Sequence, residues 1–450
     1  MTEPSAHPDP CCDEATLALS RRRLLAAAGI TAGAAAVTSF FGDTLRNVAY
    51  ADTPSATGNV LVVLSLRGAI DGMGVVVPHG DATYYAKRPV IAIPQAKLIC
   101  ADSMFGLHPA LTPLQKYWTS GEFAAVTATG MVRPNRSHFA AMEQIEDADP
   151  TSTLRQGWVN RLVELGTSAD DPLSATFFGS TTSPTLTSGP VDTLAAGEMS
   201  SLVLTGADPA YDDASWQAHR KASLASVWGT VPGSVPAATA ARLKAGVASG
   251  LSIVDRVGPA AATTYAPANG AVYPTAWPAT DLGAALEDTA RLIKSGVGVE
   301  TVALDYGSWD FHAGYGAFSS GTSGGMYRNL NALATALDAF LTDLGAERSR
   351  VTVVTISEFG RRLSENSANG LDHGWGNMIL LFGAGVRGGR YYGTWPTLAT
   401  PSSALVDDDL QVTTDYRDVL ADVIASRFPG RSPSSLFGSD YTRTALGIMS

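Results

Sequence analysis

Cysteine is scarce in this chain: three among 450 residues, two of them the adjacent Cys11 and Cys12 close to the N-terminus. Beyond residue 51 only Cys100 remains, so that part cannot form an internal disulfide, and its stability has to come from its core. Charge is sparse as well. Asp, Glu, Lys and Arg make up 16% of the residues, against the usual ~25%. With 45% hydrophobic residues, this excludes a disordered or coiled-coil protein and implies a folded, well-buried body. The formal net charge is -11, and no Lys/Arg-rich block occurs beyond the N-terminal one. An acidic surface repels phosphate backbones, so no nucleic-acid partner is expected. A small anionic substrate is compatible with that charge, because a bound metal reverses the sign of a pocket. No fixed-period repeat is present, and the length suits one large domain or two to three ordinary ones.

What is present begins with a targeting segment. In "SRRRLLAAAGITAGAAAVTSFF", Arg21, Arg22 and Arg23 precede an Ala- and Gly-rich apolar run, and "AYA" at 49–51 supplies a small-x-small cleavage site before Asp52. The pattern is that of a twin-arginine leader of the S-R-R-x-[FL]-L type, with the alternative of a retained anchor. It predicts residues 1–51 as a signal peptide passing through the twin-arginine translocation machinery. The mature chain would then be periplasmic, in the cell envelope or extracellular, with no stable membrane span after cleavage.

Apolar runs of strand length recur: "NVLVVLSL" (59–66), "FAAVTATG" (123–130), "SLVLTG" (201–206), "VETVALDY" (299–306), "VTVVTIS" (351–357) and "MILLFGAGV" (378–386). They are continuous rather than alternating, as strands buried on both faces are. Between them lie helical patterns. In "MYRNLNALATALDAFLTDL", Met326, Leu330, Leu333, Leu337, Phe340 and Leu344 step by four and three to make one apolar stripe. "LGAALEDTARLIKSG" (282–296) and "DYRDVLADVIASRF" (415–428) read likewise. The fold class predicted is α/β, a mostly parallel central sheet between helices over residues 52–450. Residues 207–281, with a helical stretch followed by Ala-, Pro- and Gly-rich text, read as a helical insertion or cap.

In such sheets ligands bind where the carboxyl ends of the strands open into a crevice. Following each run off its end gives Asp71 in "RGAIDGMG", Ser137 and His138 in "PNRSHF", Asp310 and His312 in "GSWDFH", and Glu358 with Arg361 and Arg362 in "EFGRR". Asp372 and His373 in "GLDHGWGN" precede the next strand. Carboxylates and imidazoles gathered at one sheet edge form a ligand set that zinc and similar borderline metals prefer. Asp71, Asp310, His312, Glu358, Asp372 and His373 would suffice for one ion or two. Each residue also has a plainer use. Asp71 between glycines is either a turn residue or a ligand. Glu358 is either a ligand or an ion-pair partner of Arg361 or Arg362. Ser137 is either a helix N-cap or a hydroxyl poised among free N–H groups, where an anionic adduct is favoured. His108, before a proline and a helical pattern, reads as a structural histidine.

"LRGAIDGMGVVVPHGDATYYAKRP", "FGLHPAL", "PNRSHF", "SWDFH", "VTISEFGRR", "DHG" and "GVRGGRYYG" occur in this order. As a set they resemble a bacterial, twin-arginine-exported family, the domain of unknown function 1501, across roughly residues 59–428. That family is similar to the alkaline phosphatase and sulfatase superfamily. The resemblance implies an alkaline-phosphatase-like α/β fold and an exported metal-dependent hydrolase of small anionic phosphate or sulfate esters. The alternative is a non-catalytic envelope binding protein of the same fold. It further implies Ser137 as nucleophile, His138 beside it in the catalytic set, and Arg136 and Arg361 on the substrate anion. Asp71, Asp310, His312, Glu358, Asp372 and His373 would hold a divalent metal, zinc by preference, with manganese, magnesium or calcium as the other candidates. The sulfatase C-x-P-S-R motif is absent, so formylglycine chemistry is not expected.

Overall fold

The computed structural model describes residues 58–133, 135–204, 214–231, 233–317, 324–399, 405–406 and 409–450. The expected leader, residues 1–51, lies outside them, as does part of the 207–281 segment.

One sheet dominates the described residues. Its strands are β1 (Val60–Leu66), β2 (Phe123–Gly130), β3 (Ala175–Phe178), β4 (Leu194–Ala196), β5 (Thr301–Tyr306), β6 (Val351–Ile356), β7 (Asn377–Gly383), β8 (Tyr391–Tyr392) and β9 (Thr414–Asp415). Their order is β8-β2-β7-β6-β1-β5-β3-β4, with β9 also pairing β2. The pairings are parallel except those of β7, which runs antiparallel to both β2 and β6.

Side chains alternate between the faces of a strand, and β1 shows why its sequence is apolar at nearly every position. Val60, Val62 and Leu64 enter one apolar cluster, while Leu61 and Val63 enter the other. Helices α1 (His138–Asp147) and α2 (Trp158–Glu164) cover the second face with α7 (Tyr416–Arg427), through residues such as Met142, Leu162 and Leu420. Between α2 and α7 in the chain come α3 (Ala214–Gly229), α4 (Ala237–Ala261), α5 (Thr280–Lys294) and α6 (Gly325–Leu344). Of these, α4, α5 and α6 pack on the first face through Ile253, Leu286 and Leu337. The result is a three-layer α/β/α arrangement, the fold class read from the sequence. All six residues of the α6 stripe are buried, and each fully buried Leu or Phe contributes about 1.5–3 kcal/mol.

Two local expectations are corrected. The apolar run 201–206 is not a strand where it is described: Met199–Ser201 is a 3₁₀ turn, and the coil after it buries Leu202 and Leu204 in the first cluster. An apolar run reports burial, and here coil delivers it. The text after the helical stretch of 207–281, read as merely Ala-, Pro- and Gly-rich, forms the 25-residue α4, whose Val247, Ile253 and Val257 are buried in the first cluster. Among the described residues, no helix is long and apolar enough to cross a membrane.

This topology positions the site. The C-terminal ends of β1, β2, β5 and β6 open on one edge of the sheet, with β1 between β5 and β6. Because β7 is antiparallel, the segment that leads into it reaches that same edge. Asp372 and His373, which precede a strand rather than follow one, therefore meet residues that follow strands.

Candidate metal centre

Three imidazoles and one carboxylate converge at this edge. His138 Nε2 lies 3.0 Å from His373 Nε2, and His312 Nε2 lies 3.0 Å from the same atom. Asp310 completes the group: one of its oxygens is 3.2 Å from His312 Nε2 and 3.5 Å from His373 Nε2, and the other is 3.5 Å from His138 Nε2. The ligand atoms of His138, Asp310 and His373 all lie within 4.8 Å of one another, close enough to share a metal ion.

The opposite ring nitrogens explain how the rings are held. His138 Nδ1 faces Glu358 Oε1 at 2.9 Å, His312 Nδ1 faces Asp372 Oδ1 at 2.8 Å, and His373 Nδ1 faces the Arg136 carbonyl at 2.9 Å. These partners are acceptors, so each Nδ1 carries the proton and each neutral ring directs the Nε2 lone pair inward. Metal-binding histidines are oriented in this way. Three lone pairs and a carboxylate oxygen facing one another are favourable only around a cation. A proton can bridge one pair of them; a metal ion serves all. The separations of 3.0–3.5 Å also bracket the edge of about 3.3 Å that a tetrahedron with ~2.0–2.1 Å bonds to nitrogen or oxygen requires. The donor set fits a borderline divalent ion.

Electrostatics favours the ionised acids and a neutral His373. Burial raises the Asp310 carboxyl, but the Arg361 hydrogen bond and charge outweigh it, and its pKa falls below the ordinary value. Hydrogen bonds from His312 and Asn366 lower Asp372. Burial lowers His373, reinforced by the charge of Arg361 against the opposing Arg136 carbonyl and Asp310. An imidazole depressed in this way is free of its second proton at neutral pH.

The sequence-predicted residues divide accordingly. Asp310, His312 and His373 face the centre, and His138, expected to be catalytic, joins them. Glu358 and Asp372, expected as ligands, lie behind the rings as their orienting acceptors. Glu358 also accepts the Gly68 N–H at 2.8 Å and the Ser357 hydroxyl at 3.0 Å. Gly68 can turn there because it has φ +105, and a Cβ would lie 2.7 Å from Trp309 N.

Asp71 is not in the cluster. It is 3% exposed, and Arg88 grips it with two bonds, Nη1 to Oδ2 at 2.6 Å and Nη2 to Oδ1 at 3.0 Å, while Tyr315 donates to Oδ2 at 2.7 Å. Both carboxylate oxygens are spent, so the ligand expectation is replaced by a buried ion pair. That pair matters for position. Arg88 also donates to the carbonyls of Arg362 and Leu363, so the Asp71–Arg88–Tyr315 unit ties together the loops after β1, β5 and β6.

Arg361 was expected on the substrate anion, but its guanidinium is buried and engaged. It donates to the carbonyls of Ala69 at 2.7 Å, Leu371 at 3.1 Å and Gly68 at 2.5 Å, and to Asp310 at 2.7 Å. It orients a carboxylate rather than a substrate. Arg136 pairs with Asp409 and presents its carbonyl to His373. Ser137 sits at the N-cap of α1, exposed, with no hydrogen bond from its side chain to the helix backbone; the cap expectation is not met. His108 is the structural histidine expected, buried with Nδ1 accepting from Ala110 N at 2.9 Å.

Several contributors carry no sequence signal of their own. Asn366, which donates to Asp372 at 3.1 Å, lies in "SENSANG", an ordinary turn text. Arg88 stands 17 residues from Asp71 with nothing to mark the pairing. Beside the cluster, a cleft of about 630 Å³ is lined by Arg67, Phe139 and Glu146, and by His138, Asp310 and Glu358 of the centre itself.

Compared with known proteins, the chain matches no curated protein in sequence. Its fold is similar to several solved structures. The lipoteichoic acid synthase LtaP from Listeria monocytogenes aligns at 9% identity and TM-score 0.33, over 90% of this chain and 81% of that one. The C-terminal periplasmic domain of EcEptC from Escherichia coli, in complex with Zn, aligns at 10% identity and TM-score 0.35, over 89% and 92%. The phosphonate monoester hydrolase SpPMH from Silicibacter pomeroyi aligns at 11% identity and TM-score 0.35, over 86% and 78%. Residues 286–424, which run from α5 into α7 and carry Asp310, His312, Glu358, Asp372 and His373, match the model of the family described as Protein of unknown function (DUF1501), the family that the sequence motifs resemble.

Proposed function

We propose that this protein is a metal-dependent hydrolase of small phosphate or sulfate esters, exported through the twin-arginine pathway by its Arg21–Arg23 leader. The observation that carries the reading is the convergence of His138, His312 and His373 on Asp310, each ring held by an acceptor at Nδ1. These four side chains would hold the ion, zinc by preference for its nitrogen and oxygen ligands, with manganese, magnesium or calcium as the other candidates. A divalent ion bound there supplies Lewis-acid polarisation of the ester's phosphoryl or sulfuryl oxygens.

The chain's own residues do the rest. Ser137 precedes the ligand His138 and has a hydroxyl not spent on the helix backbone, which suits it to attack. In that step its Oγ bonds to phosphorus or sulfur as the bond to the leaving oxygen breaks, and the serine proton ends on the departing alcohol. Water then cleaves the seryl ester, releasing phosphate or sulfate and restoring the hydroxyl. Glu358, Asp372 and the Arg136 carbonyl keep the rings in one tautomer, and Arg361 holds Asp310 ionised.

The test is turnover of chromogenic aryl phosphates and aryl sulfates by the purified mature chain, across a panel of zinc, manganese, magnesium and calcium. Turnover that a chelator abolishes and one of these ions restores is expected. No turnover of either ester class with any ion would overturn the hydrolase reading and leave that of an envelope binding protein.

A further inference from the structure

Resting on that reading, we infer that the cleft beside the cluster binds the non-reacting part of the ester, and that this part is a neutral, polyhydroxylated sugar unit. The cleft holds about 630 Å³, within the ~300–1,000 Å³ of small-molecule sites, and it reaches the centre through His138 and Asp310. Its outer wall carries Phe139, which is 89% exposed although it is a large apolar side chain. Met142 and Pro184 add apolar surface, and Ser183 and Thr185 bring hydroxyls.

Charge decides among occupants. Among the described lining residues, Arg67 is the one Lys or Arg. Its guanidinium is already shared by Glu146 at 2.6 Å and Asp305 at 2.7 Å. A second anionic group, away from the reacting one, would find no uncompensated cation and several carboxylates, so polyanionic substrates are disfavoured. A cationic group is also poorly served. Glu146 is paired with Arg67, and Glu143 with Arg155 at 2.8 Å, and Phe139 is a single ring rather than a cage. A sugar needs what remains: an open aromatic face for its C–H surface, with fixed donors and acceptors alternating around it. The Ser183 and Thr185 hydroxyls, each a donor and an acceptor, offer both kinds.

The experiment uses the whole mature chain, with Phe139→Trp as a fluorescent reporter and Phe139→Ala as the deletion; an 89% exposed side chain can be changed without touching the core. The probes are maltotriose and chitotriose as neutral sugars, choline as a cation and inositol hexakisphosphate as a polyanion. The expected result is a saturable emission shift of the Trp variant with at least one trisaccharide and with neither charged probe. Phe139→Ala should raise the trisaccharide's Kd about five- to ten-fold by calorimetry. Sugar binding by a chain that turns over no ester supports the cleft assignment and removes the hydrolase reading. Ester turnover without sugar binding up to ~10 mM, or a response to choline or the polyanion in place of the sugars, overturns the inference and leaves the hydrolase reading standing.

Discussion

At the scale of single residues, the chemistry of a carboxylate or an imidazole depends on which partner reaches it first. Asp71 reads in the sequence as either a turn residue or a ligand, because a lone acid between glycines has no local signature of its partner. The fold supplies Arg88, with side-chain exposures of 0% and 2% for the pair. Asp71→Ala should therefore cost about 3–5 kcal/mol in a denaturant titration, since it leaves Arg88 charged and buried, while metal bound per folded chain stays unchanged. A loss of metal with no loss of stability would return Asp71 to the ligand set. His108 gives a pH signature. Burial lowers its pKa from 6.5 to about 3, so between those values the unfolded chain binds the proton that the native chain refuses. Its contribution to stability is thus complete above 6.5 and is lost as pH falls toward 3. His108→Asn keeps an acceptor for Ala110 N, and the variant should lose less stability than wild type between pH 6.5 and 4 in parallel melts. Equal losses would contradict the assignment.

At the scale of elements, most long strands and helices were legible because each has an unbroken apolar run or a stripe of 3.6-residue period; the 25-residue α4 was not, its text being rich in Ala and Gly. The shortest strands were not. Ala175–Phe178 and Leu194–Ala196 have four and three residues, too few for a pattern to separate strand from coil. Direction was also hidden. Nothing local says that Asn377–Gly383 runs antiparallel, yet that reversal is what brings His373 to Asp310. The polar groups of the site were found at strand ends, but ligands could not be told from the acceptors behind them, since Glu358 and Asp372 are as suitable chemically as Asp310. The start of α1 makes its own prediction. Because Ser137 makes no side-chain bond to the helix backbone, Ser137→Ala should cost less than the ~0.5–2 kcal/mol of a bonded cap. It should also abolish ester turnover with metal content unchanged. Retained turnover would remove Ser137 as nucleophile. In α6, Leu337 is 0% exposed, and Leu337→Ala should cost about 2–5 kcal/mol by chemical denaturation. A loss under ~1 kcal/mol would mean that α6 does not pack as described.

At the scale of the whole molecule, a sheet with one polar edge and two apolar faces explains why so few charges serve so large a chain. Apolar residues fill both faces, and the ionisable groups with chemistry to do gather where the strands end. The edge works as one unit: Arg88 and Arg361 brace the loops from within, and three acceptors aim three rings at one point. That convergence is the central claim, and metal content tests it most directly. The mature chain, saturated with zinc, dialysed and assayed by elemental analysis beside His373→Ala, is predicted to hold about one ion per chain in the wild type and essentially none in the variant. A wild-type chain that retains no zinc, or a His373→Ala variant that retains as much as wild type, would contradict it.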